Sequence, residues 1–461
     1  MAAILAQARG EFSALPSTPR RAARYGRGSV HTLAFLDPGH FHAALTLAER
    51  HPRVTDELFV YAPPGEELDD FLALVEAFNR RSERPTAWRP VVRAGGRSLE
   101  RLAADRPGDI AIIAGRNDTK MSAIRRLHDA GSHILADKPW LAGPDGLADL
   151  RHTLADLPLA AEIMTGNHEI TALLTTELVA DAGVFGGFAE GGPAAPAIEI
   201  AGVHHLEKLV NGAPLRRPPW FFDVRVQGDG IADIPTHMVD FAQRLVAASA
   251  PGPPPADLEL ISARRSATLV PRALFARVTG RPDFPPELGA AVSGGELAYE
   301  GNAELSFRLG EVTAELVTRW DLSAPPGGGD THRSIIRGTR AEIRMDQGPA
   351  TGFRRCLTIA PRRDAGGVAA ALERIVAAWQ IEHPGVALAP APPGWEVRVP
   401  GALDRGHESH FALVLADFLA LVERGSAPPA LAARTLAKYA LLARASAEAS
   451  RGRAWPSSTA R

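Results

Sequence analysis

Asp233 and His237 stand four residues apart in the segment Gly228-Asp229-Gly230-Ile231-Ala232-Asp233-Ile234-Pro235-Thr236-His237-Met238-Val239-Asp240. On a helix that spacing sets both side chains on one face. Pro235 fits only a first helical turn, which puts Asp233 near the N-cap. A bland reading makes Asp233 a cap and His237 a core histidine. The glycine pair Gly228/Gly230 favours a site instead, because it lets backbone approach a ligand closely. Imidazole exchanges protons near neutral pH, so a carboxylate beside it suits acid–base work.

Other polar residues of interest sit where apolar runs end. The run Thr32–Leu36 gives way to Asp37-Pro38-Gly39-His40-Phe41-His42-Ala43. A strand, a tight turn at glycine and a helix start form a place where a dinucleotide pyrophosphate rests, on backbone N–H groups and the positive helix end. The three-glycine fingerprint is absent. Gly39 alone matches, and one of His40 and His42 is read as capping or covering the turn. Asp109–Ala114 leads into Gly115-Arg116-Asn117-Asp118, and the next strand into Ala136-Asp137-Lys138-Pro139-Trp140. A lysine there projects into the ligand crevice at the carboxyl ends of parallel strands.

The elements that must hold these residues are legible as alternation. In the first half, strands at Thr32–Leu36, Leu58–Tyr61, Asp109–Ala114, His133–Ala136 and Ala161–Thr165 alternate with helices at Phe41–Arg50, Glu67–Arg81, Lys120–Ala130 and Leu147–Leu157. That is the mark of βαβ units and a Rossmann-like parallel sheet. Later, Ile198–Val203, Leu258–Ile261, Glu304–Leu309, Val312–Leu322, Ser334–Met345 and Leu357–Ala360 read as strands of a mostly antiparallel sheet, one face covered by helices. Pro/Gly-rich loops fall at Pro251–Pro255, Pro325–Gly329 and Pro390–Gly394, and helices close the chain near His410–Glu423 and Leu431–Ser450. The α/β chain therefore divides into a tail (1–30), a Rossmann unit (31–158) and a larger substrate and oligomerisation unit (159–461).

At 461 residues, 45% of them apolar, the chain has material for two or three cores. Lys+Arg at 51 against Asp+Glu at 53 lacks the basic excess of a nucleic-acid binder. No apolar run reaches the roughly 18 residues of a membrane span. Cys356 stands alone, which excludes an internal disulfide and a cysteine zinc cage. The stretch Arg20, Arg21, Arg24, Arg27 is not followed by an apolar core and cleavage site, so a cytoplasmic protein is expected.

Lys138 in Asp-Lys-Pro, preceded by Asn117 and followed by the glycine-rich Asp-x-x-x-His element, resembles the glucose–fructose oxidoreductase/inositol dehydrogenase family. Asp137 stands where that family usually has Glu. The segment from His204-His205-Leu206-Glu207-Lys208 to Pro219-Trp220-Phe221-Phe222-Asp223 is similar to one of its subgroups. The resemblance implies NAD- or NADP-linked chemistry at a carbinol carbon of a sugar, glycoside or cyclitol, with Lys138, Asp233 and His237 matching the family's catalytic residues. His237 then takes the hydroxyl proton, Lys138 stabilises the alkoxide and Asp233 orients substrate or imidazole. Gly39, His40, Phe41, Asn117, Asp137, Lys138 and Pro139 are the expected cofactor contacts. The second strand ends at Tyr61-Ala62-Pro63-Pro64, with neither an acid for a ribose nor a base for a 2′-phosphate; NAD is preferred over NADP.

His168, His205, Lys208, Trp220 and Asp223 are candidates to line a carbohydrate pocket. The spacing of His407 and His410 is one short of a helical zinc pair, so no metal is assigned and both are read as exposed at a helix start. Two alternatives stay open: a redox-neutral NAD-dependent glycosidase, which would recycle NADH, and a ligand sensor without turnover. A sheet open on one face would expose an apolar patch, which predicts a homodimer or higher homo-oligomer.

Overall fold

A computed structural model describes residues 30–451 apart from 156, 193, 211–212 and 251–257. The expected tail, Val30 excepted, and the Pro251–Pro255 loop lie outside the described residues.

The first half runs β1 (Leu33–Leu36), α1 (His42–Leu45), β2 (Glu57–Ala62), α2 (Glu66–Arg80), β3 (Arg89–Ala94), α3 (Ser98–Asp105), β4 (Ile110–Ile113), α4 (Lys120–Asp129), β5 (His133–Asp137), α5 (Leu147–Ala155) and β6 (Ala160–Ile163). All six strands are parallel, in the order β3-β2-β1-β4-β5-β6. β1, β4 and β5 are apolar or small throughout except at their ends and fully buried, as strands covered on both faces must be. Strand order reverses between β1 and β4, and ligand crevices open at the carboxyl ends beside such a switch. β3 and α3 were not expected. β3 is an edge strand with Pro90 and mostly exposed side chains, so it carries little apolar signal. α1 is one turn, not the helix expected to Arg50. Thr46 Oγ1 bonds back to Ala43 O at 2.7 Å, and the following amides close tight three-residue steps.

The second half continues with α6 (Ile170–Ala180), β7 (Ile198–Glu207), α7 (Val224–Gln227), α8 (Pro235–Ser249), β8 (Leu258–Pro271), α9 (Arg272–Thr279), β9 (Glu296–Leu309), β10 (Val312–Ser323), β11 (Thr331–Arg337), β12 (Ala341–Gln347), β13 (Cys356–Pro361), α10 (Ala365–Glu382), β14 (Ala387–Ala391), β15 (Gly394–Arg398), α11 (His410–Arg424) and α12 (Pro429–Arg451). Its sheet has the order β8-β9-β10-β7-β11-β12-β13-β15-β14, antiparallel except where β10 meets β7. β8 runs ten residues past its expected end. Bulges near Leu260/Ser262 and Ser266/Thr268 break the two-residue period that would have marked it. The expected strand Ser334–Met345 is a hairpin, folded at Gly338, where a Cβ would lie 2.5 Å from Phe185.

Helices α6, α8, α10 and α12 cover one face through residues such as Leu174, Val239, Leu372 and Leu441 against Leu305, Phe307, Leu316 and Ile343. The other face mixes charge with apolar side chains, since Val317 pairs with Glu304 and Ile335 with both Glu199 and Arg344. Glu304, Glu315, Arg319, Glu199, Glu342 and Arg344 lie on it, and Arg319–Glu304 and Arg344–Glu342 are paired. Exposed large apolar side chains among the described residues are scattered at Val30, Val92, Leu209, Leu269 and Ile381, so the expected patch is absent. Nor does the chain divide cleanly at 158. β6 belongs to the first sheet, and α11 seals that sheet with Phe411, Leu415, Phe418 and Val422.

Candidate active site

β5 delivers Asp137 and Lys138 at its carboxyl end, through a cis Lys138–Pro139 peptide. Asp233 comes from the turn before α8. Pro235 is the first helical residue, as its fixed φ favours, but the cap is Ile234 and makes no side-chain bond. The aspartate that organises this turn is Asp229. Its Oδ1 accepts from the Ile231 and Ala232 amides, and its Oδ2 from Arg265 at 2.7 Å. Asp233, freed from capping, receives Lys138 Nζ at 2.5 Å with both side chains buried. Burial alone would raise its pKa, but the Lys138 charge and hydrogen bond outweigh that and hold it low. Gly230 does permit a close approach, though to the strand and not to a ligand: a Cβ there would meet Gly301 O at 2.4 Å.

His237 follows one turn into α8. Its ring makes no hydrogen bond to a described residue and keeps some solvent access. Burial, then the charges of Lys138 and His407, hold its pKa well below the ordinary imidazole value. A neutral imidazole next to an ammonium can accept a hydroxyl proton, and the ammonium favours the anion left behind.

Asn117 ties the halves together and leaves no group spare. Its Nδ2 donates to Gln227 O at 2.8 Å, and its Oδ1 accepts from Lys120. Lys120, missed in the sequence, is fully buried and also donates to Asp137 O at 2.9 Å. Burial draws its pKa down to about 8. His40 and His42 share a partner. Both reach Asp137 Oδ2, at 3.1 and 2.9 Å. Gly39 and His40 spend their amides on Asp37 O and Ala114 O, leaving Phe41 as the turn amide without a backbone acceptor. Both glycines of the turn are packed close, as Gly230 is: a Cβ on Gly39 would lie 2.0 Å from Glu67 Oε2 and one on Gly115 2.3 Å from Asp37 O.

The other candidates divide. His205 and Lys208 converge on Asp330, with His204 alongside, and His332 completes that cluster. Asp330 sits 122 residues beyond Lys208, and no local pattern announces it. Trp220 is half-buried and donates to Glu67 Oε1 at 2.7 Å, bridging to the first half. Asp223 caps α7, and Arg225 holds both its oxygens, at 2.9 and 2.7 Å; this occupies it structurally. His168 turns towards Asp417 of α11, 3.4 Å away. His407 is exposed as expected, but His410 is buried.

The model for the "Putative oxidoreductase C terminal domain" family matches residues 174–450. The structure of a "putative oxidoreductase" from Parabacteroides merdae is 34% identical, covers 93% of this chain and 100% of its own, and superposes with a TM-score of 0.88. Two more distant structures share the fold. One, described as a "putative myo-inositol dehydrogenase" from Sinorhizobium meliloti, is 13% identical over 92% of this chain and 98% of its own (TM-score 0.54). The other is levoglucosan dehydrogenase in complex with NADH, 14% identical over 90% and 97% (TM-score 0.58). No curated protein matches. The chain belongs to the oxidoreductase family that this C-terminal domain defines, and it shares the fold of the two sugar and cyclitol dehydrogenases.

Proposed function

We propose that the protein is an NAD(P)-dependent oxidoreductase that moves hydride between a nicotinamide and a carbinol carbon of a sugar, glycoside or cyclitol. The observation that carries this reading is the buried Lys138–Asp233 pair with His237 beside it at the carboxyl end of the parallel sheet. The strand-to-helix turn after β1 stands beside the strand-order switch, where a dinucleotide would rest, held by the Phe41 amide and the Lys138–Pro139 segment. When bound, the nicotinamide supplies the hydride acceptor or donor.

His237 takes the hydroxyl proton, for which its depressed pKa keeps it ready. Lys138 stabilises the developing alkoxide, and Asp233 fixes the ammonium in place. The cluster of His204, His205, Lys208 and Asp330 offers donors and acceptors to further hydroxyls of a polyol. Mass spectrometry of nucleotide released from denatured protein, followed by NAD+ turnover on a panel of sugars and cyclitols, tests the proposal. Net NADH formation on one of them is expected. A folded protein that neither carries nor binds a nicotinamide nucleotide would overturn it.

A further inference from the structure

Among the described residues, three groups bring histidine and carboxylate ligand atoms within 4.8 Å of one another: His40–His42–Asp137, His204–Asp330–His332 and Glu177–Glu382–His383. The first has a feature the hydride chemistry does not use. Asp137 is 3% exposed, and its Oδ2 faces Nδ1 of both His40 and His42, at 3.1 and 2.9 Å. Its Oδ1 is buried with no hydrogen-bond partner. A buried carboxylate bonded by two imidazoles and by no cationic side chain is costly to maintain. The nearby ammonium groups make no bond to this carboxylate, and Lys120 acts on it only through its charge. Lys138 is matched by Asp233, and Lys120 donates to the Asp137 backbone carbonyl.

We propose that His40, His42 and Asp137 form a facial site for a divalent first-row transition metal. Two imidazoles and one carboxylate on one side of an ion, with the other positions open, is a recurrent arrangement for such metals. An ion about 2.1 Å from each donor stands just out of the plane of three donors spaced this closely. Without metal, each Nδ1–H donates to the carboxylate. With metal, the ring proton moves to Nε2 and Nδ1 presents its lone pair, so no net proton is lost. The His407 ring lies 6.3 Å from that of His42 as a further imidazole at hand. Asp137 precedes Lys138 directly, so the open positions border the catalytic centre, where a substrate oxygen or water can fill them. The site stands whether or not hydride transfer does.

The test uses the full chain, stripped with chelator and titrated with Zn2+ by calorimetry. Co2+ serves in parallel, for its visible absorption when bound to nitrogen and oxygen ligands. One equivalent of Zn2+ is expected to depend on His40 and His42. His40→Ala or His42→Ala should weaken it by more than the roughly 10- to 100-fold that loss of an outer-shell partner costs. His332→Ala and His383→Ala, which disable the other two groups, should leave that equivalent in place. Should an alanine variant fail to fold by circular dichroism, His40→Gln and His42→Gln keep the volume and must show the same loss. Absence of Zn2+ binding by folded wild-type protein, or binding that survives both histidine substitutions, overturns the proposal.

Discussion

The proposed mechanism rests on His237 as its base. His237→Asn keeps much of the ring's shape and some hydrogen bonding but removes the base. Loss of a general base lowers kcat by about 100- to 10,000-fold, with nucleotide affinity preserved. Near-normal turnover per folded molecule would remove His237 from the mechanism. Lys120 offers a separate handle. Its ordinary pKa of 10.5 falls to about 8 in the fold, so between those values the unfolded chain holds a proton that the folded one lacks. Stability from this group therefore rises with pH across that window and carries a constant penalty below it. Measured by denaturant unfolding, wild type should gain on Lys120→Met as pH climbs from about 8 to 10.5; a flat difference would refute the depressed pKa. Lys138, Asp233 and His237 were legible because they carry motif spacing. Asp330, His332 and Gln227 were not, since each matters through a partner more than 100 residues away or on another strand.

Elements were readable where burial was two-sided and regular, as in β4 and β5, and unreadable where tertiary context replaced pattern. β8 lost its period to bulges, and β3 survives as an edge paired with β2 and held by Arg101 of α3 at its Arg93 and Ala94 carbonyls. α12 was visible as a helix, but its destination was not. Lys438, with 0% exposure, reaches back to Glu162 of β6 at 2.6 Å, while Tyr439 OH donates to the same carboxylate and accepts from the Trp140 amide. Lys438→Met leaves Glu162 buried without its cation, which costs about 3–5 kcal/mol. Chemical denaturation should show that loss, and a change below about 1 kcal/mol would mean the pair is solvated. At the β1–α1 turn, Gly39→Val pushes against the flexible Glu67 carboxylate and not against backbone, so the fold should hold. Nucleotide affinity should fall, and unchanged NAD(H) binding by calorimetry would rule out the turn as the pyrophosphate seat.

For the whole molecule, the charged sheet face changes the argument for self-association. Glu315 stands opposite Glu199 in register, and burial, Glu199 and Glu304 all raise its pKa. Like charges so placed repel unless cations oppose them. A homodimer that stacks this face on itself would set arginines such as Arg344 and Arg319 against those acids. Such a dimer should weaken with salt, since surface pairs are screened. Light scattering at micromolar concentration should give a dimer at low ionic strength and a smaller mass near 1 M salt; a monomer at low salt would exclude this interface.

The return of α11 and α12 to the first sheet also sets an order of events during synthesis. The ribosome releases β6 about 276 residues before Lys438, the partner of its buried Glu162, emerges. Until then the first sheet has strands but lacks the Phe411–Val422 surface that seals it. The nascent chain must therefore wait, with the crevice at the carboxyl ends of that sheet half assembled, and a product truncated before residue 410 would be a substrate for chaperones and proteases.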